Sequence, residues 1–192
     1  KDGKVSYHNF AVGTFSGKGS FYLNGVASNL NSAITIGSDE GKVDVNYVTL
    51  EDFFEQYNVK TPVLIKMDIE GYEVELLQQA TNYLVNLQNV HILLELHPNT
   101  YSRSRSMYGV LGKLFENGYR PVMIESAGVK NPSLFREKGL KLINIDKARG
   151  LYHCSDKDFV RDVCSRNIQE KITDHFMTAK IARSLLITNR KK

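Results

Sequence analysis

Apolar and polar residues alternate over residues 43–48, and short unbroken apolar runs occur at Val63-Leu64-Ile65 and Ile92-Leu93-Leu94. Alternation predicts a strand with one face in the core, whereas a continuous run bounded by turn residues predicts a strand buried on both faces. Gly71 breaks the first run, and Val74, Leu77, Ala80 or Thr81, and Leu84 then recur at helical spacing. After the second run, Met107, Val110, Leu111, Leu114 and Phe115 mark one face of a helix that stops at Gly118. Further strands are predicted over residues 5–12, 21–23, 119–124 and 140–145. Gly17-Lys18-Gly19-Ser20 reads as a hairpin turn, and residues 24–42, rich in Asn, Ser and Gly, read as an irregular loop. Thr49 is placed to cap a short helix running to Tyr57, with Glu51 and Asp52 in its first turn. The remainder, from about Asp156 to Asn189, reads as mostly helical.

Buried strands alternating with amphipathic helices imply an α/β fold with a mainly parallel sheet and helices on both faces. The last two strands have no helix between them and are expected to form an antiparallel pair at one edge. The expected organisation is an α/β domain over residues 1–155, followed by a helical extension, 156–192, packed on it or on a partner. Leu185, Leu186 and Ile187 would supply the apolar contact for that packing, or for self-association.

Composition narrows the partners. The chain has 192 residues and a formal net charge of +4, too small to call for nucleic acid. Arg183, Arg190, Lys191 and Lys192 bunch near the end and read as a short solvated basic tail. No apolar stretch reaches the roughly 18 residues that would span a bilayer. Cys154 and Cys164 are the only cysteines and form no C-x-x-C pair, so structural zinc is not expected. Free thiols in a reducing, cytoplasmic compartment are the expectation.

Candidate chemistry gathers at two strand ends. Asp68 and Glu70 stand where the strand over residues 63–67 runs out, and residues two apart on an extended segment point the same way. Glu95 and His97 hold the equivalent place on the next strand and are followed by the breaker Pro98. Ligand sites of open parallel sheets lie beyond the carboxyl ends of the strands, so three carboxylates and an imidazole are expected at one cleft. Gly17-x-Gly19 lacks the third glycine and the following helix that a dinucleotide loop needs. His8, His91, His153 and His175 show no ligand spacing, and no metal is expected.

The segment Val63-Leu64-Ile65-Lys66-Met67-Asp68-Ile69-Glu70-Gly71-Tyr72-Glu73, with Leu76-Leu77 after it, resembles the most diagnostic stretch of the FkbM methyltransferase family. There a Lys-x-Asp-x-Glu-Gly-x-Glu segment precedes a helix, and a strand ending in Glu-Leu-His follows, as Leu93-Leu94-Glu95-Leu96-His97-Pro98 does here. Asn9-Phe10-Ala11-Val12-Gly13 and Val48-Thr49-Leu50-Glu51-Asp52-Phe53 resemble the family's preceding strand and linking helix, and the similarity runs from about residue 5 to residue 120.

The resemblance implies a Rossmann-like methyltransferase that uses S-adenosylmethionine and methylates a hydroxyl of a sugar or other small molecule. It implies Asp68 near the methionine end of the cofactor and the acceptor, Glu70 and His97 on the acceptor side, and Ala11 near the adenine. Glu95, at the same strand end as His97, is a further substrate-binding candidate. Methyl transfer needs an in-line approach of oxygen to the sulfonium carbon, and a group that accepts the hydroxyl proton would assist it. Asp68 is the first candidate for that role and His97 the second; Lys66, at the buried end of its strand, is expected in an ion pair. The family's earlier elements, which hold the methionine and the ribose, do not occur in this sequence. The chain is therefore expected to supply part of the cofactor site. A catalytically silent structural subunit of a larger assembly is the alternative reading.

Overall fold

The computed structural model describes residues 5–22, 41–172 and 175–190. The chain divides into two compact units, Lys1–Val59 and Lys60–Lys192.

The first unit carries β1 (Ala11–Gly13), β2 (Gly17–Tyr22), β3 (Lys42–Thr49) and helix α1 (Leu50–Gln56). Its sheet has the order β1-β3-β2, with β3 parallel to β1 and antiparallel to β2. The expected hairpin at 17–20 is therefore a strand, because β3 separates β1 from β2. Gly19 meets this need sterically, since a Cβ there would lie 2.7 Å from the ring of Tyr47. Of the expected 5–12 strand only Ala11 and Val12 pair with β3, joined by Gly13; His8 and Phe10 instead stack with Phe53 and Tyr57, His8 lying 4.2 Å from Tyr57 between ring centroids. The Thr49 hydroxyl accepts from the Asp52 amide at 3.1 Å, as expected of a cap that contributes about 1 kcal/mol. Leu23 and residues 24–40 of the expected loop lie outside the described residues.

The second unit is built from β4 (Val63–Met67), α2 (Glu73–Asn86), β5 (Val90–Glu95), α3 (Met107–Glu116), β6 (Arg120–Ser126), α4 (Ser133–Glu137), β7 (Lys141–Asp146), β8 (Arg149–His153), α5 (Lys157–Val163), β9 (Ile168–Ile172), β10 (His175–Ala179) and β11 (Ala182–Thr188). Its six-stranded sheet has the order β4-β5-β11-β6-β8-β7. Only β4 and β5 pair in parallel; β11 runs antiparallel to both β5 and β6, and β8 runs antiparallel to both β6 and β7. The sheet is thus mixed and mostly antiparallel, correcting the mainly parallel expectation. The physical reason is β11: running against both neighbours, it keeps β5 and β6 in the same direction but takes away their contact. An antiparallel pair does close one edge, but its members are β7 and β8, the latter a strand the hydrophobic pattern did not reveal.

Helices α2, α3 and α5 touch one another in sequence as a single layer. Ile92, Leu94, Ile124, Leu185 and Ile187 are wholly buried, each contributing roughly 2 kcal/mol of burial. The opposite face carries a shallow apolar groove lined by Leu64, Leu93, Met123, Leu151 and Leu186. Leu64 is 60% exposed. Helices on both faces, and strands buried on both faces, are accordingly corrected: exposure alternates along β4 and β5.

The expected helical extension is also corrected. Only α5 is helical there, capped by Asp156, whose Oδ1 accepts from the Phe159 amide at 2.9 Å. Beyond it, β9 and β10 form an antiparallel pair and β11 enters the middle of the sheet. Leu185 and Ile187 point into the core while Leu186 lines the groove, a period of two that a helix cannot satisfy. Residue 155 lies inside the second compact unit. Arg183 is no tail residue, for its Nη2 lies 2.7 Å from Glu95 Oε1. Lys191 and Lys192 lie outside the described residues. Cys154 and Cys164 are free and buried, and among the described residues no helix is long and apolar enough to cross a membrane.

Candidate active site

Strand β4 ends at Met67, and the chain turns sharply before α2 begins at Glu73. Glu70 (φ 54°) and Gly71 (φ 98°) both adopt left-handed backbone. A Cβ at Gly71 would lie 2.2 Å from Thr100 Oγ1, so glycine is required there by dihedral and by contact. Glu70 has no such freedom; a non-glycine residue held in this region costs about 1–3 kcal/mol, and such strain gathers at functional sites.

The facing segment follows β5. The His97 amide donates to the Tyr101 hydroxyl at 3.0 Å, and the amide and hydroxyl of Thr100 both donate to the His97 carbonyl, at 2.9 and 2.8 Å. Burial pushes the Tyr101 phenol well above its ordinary value, so it stays protonated. Arg105 binds the two segments together: it donates to the Gly71 carbonyl at 2.9 Å and to the Thr100 carbonyl, and it pairs with Glu75.

His97 stands at the centre. Its Nδ1 lies 2.8 Å from Oε1 of Glu73, a carboxylate wholly buried at the first turn of α2. The same oxygen accepts from the Ile69 amide at 3.2 Å, and Oε2 has no hydrogen-bond partner. The other ring nitrogen, Nε2, lies 3.5 Å from Glu70 Oε2 and 4.0 Å from Asp68 Oδ1. The hydrogen bond donated to Glu73 raises the imidazole pKa against the opposing effect of burial, and the charges of Glu73 and Glu70 add to the rise while Lys180 opposes it. At Asp68, burial pushes the carboxyl up, but the Lys66 ammonium at 3.0 Å and His97 outweigh it and hold the pKa below its ordinary value. Lys66 makes its expected ion pair, but at an exposed position and not a buried one.

The structure therefore brings together Asp68, Glu70 and His97. Their donor atoms lie within 4.8 Å of one another, a span that a cation could share. Adjacent parallel strands β4 and β5 place them, with Met67 opposite Leu94. Glu95 stands at the same strand end, where its carboxylate pairs with Arg183 at 2.7 Å and also contacts the Asp68 carboxyl. Ala11 lies in the first unit, in β1 opposite Tyr47. Sequence reasoning passed over Glu73, Tyr101 and Arg105 as members of the site. Glu73 did leave a signal, because it precedes Val74 and Leu77 on the apolar stripe of α2, where an unpaired carboxylate is rarely tolerated.

A model of the methyltransferase FkbM domain matches residues 3–121. No curated protein and no solved structure matches the chain.

Proposed function

This chain belongs to the FkbM methyltransferase family, and from that premise we propose that it moves a methyl group from S-adenosylmethionine to a hydroxyl oxygen of a sugar or other small molecule. The observation that carries the reading is His97 Nε2, the ring nitrogen that Glu73 leaves free, standing beside Asp68 and Glu70 at the ends of two parallel strands.

The donor set suits the cofactor. S-adenosylmethionine supplies a methyl group on a positively charged sulfur, and Asp68, part-exposed and held ionised, offers the complementary charge. A carboxylate whose pKa is lowered is a weak proton acceptor, so the base role passes from Asp68 to His97, whose basicity Glu73 raises. As the new O–CH3 bond forms and the S–CH3 bond breaks, the hydroxyl proton moves to His97 Nε2. Glu70 accepts a hydrogen bond from the acceptor and holds it in line.

The test is transfer of label from methyl-labelled S-adenosylmethionine to a panel of sugars and small-molecule alcohols by the full-length protein. His97→Gln should lower kcat about 10²–10⁴-fold, the usual share of a positioned base. Label found on nitrogen or carbon, or turnover indifferent to His97→Gln, would sink this reading.

A further inference from the structure

We propose that Glu73 is the positioning residue of this site, its buried carboxylate fixing His97 as the Nδ1–H tautomer and leaving Nε2 bare toward Asp68 and Glu70. The inference rests on the proposed methyl transfer for its purpose, but its geometry stands apart from it. A neutral imidazole carries one proton on either of two nitrogens, and the hydrogen bond made by one decides the state of the other. Here Nδ1 meets a carboxylate oxygen at 2.8 Å, an acceptor that can only receive. That oxygen is itself pinned by the Ile69 amide at 3.2 Å, so the carboxylate cannot swing away without losing a second bond.

The remaining surroundings of the ring leave Nε2 available. From the turn after β4 come Asp68 and Glu70, at 4.0 and 3.5 Å, too far for direct hydrogen bonds to Nε2 but close enough to flank a hydroxyl placed between them. From the segment after β5 comes the Tyr101 hydroxyl, which is engaged by the His97 backbone amide. From the approach to β11 comes the Lys180 ammonium, which is turned to the Leu96 carbonyl at 3.0 Å. No one of these competes with Glu73 for Nδ1.

A purely structural account of Glu73 is weaker. It stands on the stripe of α2 that includes Val74, Leu77, Ala80 and Leu84, all at most 1% exposed, and its Oε2 is buried without a hydrogen-bond partner. An apolar residue would suit that position better for stability alone. As an acceptor for the Ile69 amide in the turn before α2, a neutral glutamine would serve equally well. Orientation of His97 is what calls for a charged acceptor: a glutamine can turn its NH2 toward Nδ1 and draw the ring into the other tautomer, with the proton on Nε2, where it blocks proton acceptance.

The experiment is nitrogen NMR of the His97 ring, with histidine labelled in the ring, on the full-length protein and on Glu73→Gln and Glu73→Met, at a pH where the imidazole is neutral. The unsubstituted protein should show a protonated Nδ1 and a bare Nε2. Both variants should remain folded by circular dichroism yet show the Nε2–H tautomer gaining population. With an acceptor found in the assay above, each should lose about 100-fold or more in kcat while KM stays within about twofold, the pattern of an effect confined to the transition state. A neutral Nε2–H tautomer in the unsubstituted protein overturns the proposal, as does unchanged tautomer balance in the two variants. Absence of methyl transfer by the unsubstituted protein would count against the proposed function, while the ring spectra would still decide the role of Glu73.

Discussion

The two faces of the six-stranded sheet are made from the same strands but have different fates. On one, Ile92, Leu94, Ile124, Leu185 and Ile187 are wholly buried, next to a layer of helices that is itself buried at Leu77, Leu84, Leu111 and Val160. On the other, Leu64, Leu93, Met123, Leu151 and Leu186 are nearly as apolar but line an open groove. The difference teaches that apolar character along a strand records what its side chains can bury, and the covering layer decides what they do bury. Ion pairs break up the open face: Glu125 accepts from Ser184 at 2.9 Å and lies near Arg149 and Arg183.

The sharpest way to break the comparison is a pair of truncations on neighbouring strands. Leu94→Ala, on the covered face, should lower unfolding free energy by about 2–5 kcal/mol, read from the denaturant midpoint. An intermediate effect is expected in the covering layer itself. Asp156→Ala removes the cap of α5 and should cost about 1 kcal/mol at neutral pH. The hydrogen bond from Lys138 holds the Asp156 carboxyl below its ordinary value. A lowered pKa gives stability that is present above the unfolded value and lost as pH falls through the folded one. The gap between Asp156→Ala and the unsubstituted protein should therefore close in acid, below about pH 4, in thermal melts taken across pH. The smallest effect belongs to the open face: Leu64→Ser should change stability by no more than about 0.5 kcal/mol. A loss comparable to that of Leu94→Ala would show that the open face is covered in solution.

The sequence made the order of elements from β3 to β6 readable because α2 and α3 have clean amphipathic stripes, a cap at Thr49 starts α1, and the breakers Gly71 and Pro98 follow β4 and β5. It also put Asp68, Glu70 and His97 at one place, since residues two apart at the ends of adjacent parallel strands converge. Glu73 stayed hidden because its partner is 24 residues away, and only the folded turn brings its Oε1 to His97. Glu95 does meet Asp68, but its pairing with Arg183, far along the chain, had no signal in the sequence. The C-terminal part misled for a physical reason: a run such as Leu185-Leu186-Ile187 is compatible with helix or strand, and only the sheet position decides. The family match ends at residue 121, so from β6 onward the pattern had no precedent to correct it.

The place of β11 bears on how the protein is made. During synthesis from the N-terminus, β5 and β6 emerge well before residues 182–188, the strand that both must pair with. Until then each has a free edge of backbone donors and acceptors, the kind of edge on which other chains add strands. The nascent chain thus passes through a window in which association with its neighbours competes with its own completion. Any product interrupted between Ser126 and Ala182 would be left in that window for good, with the residues of the candidate site all present and the sheet beneath them split in two.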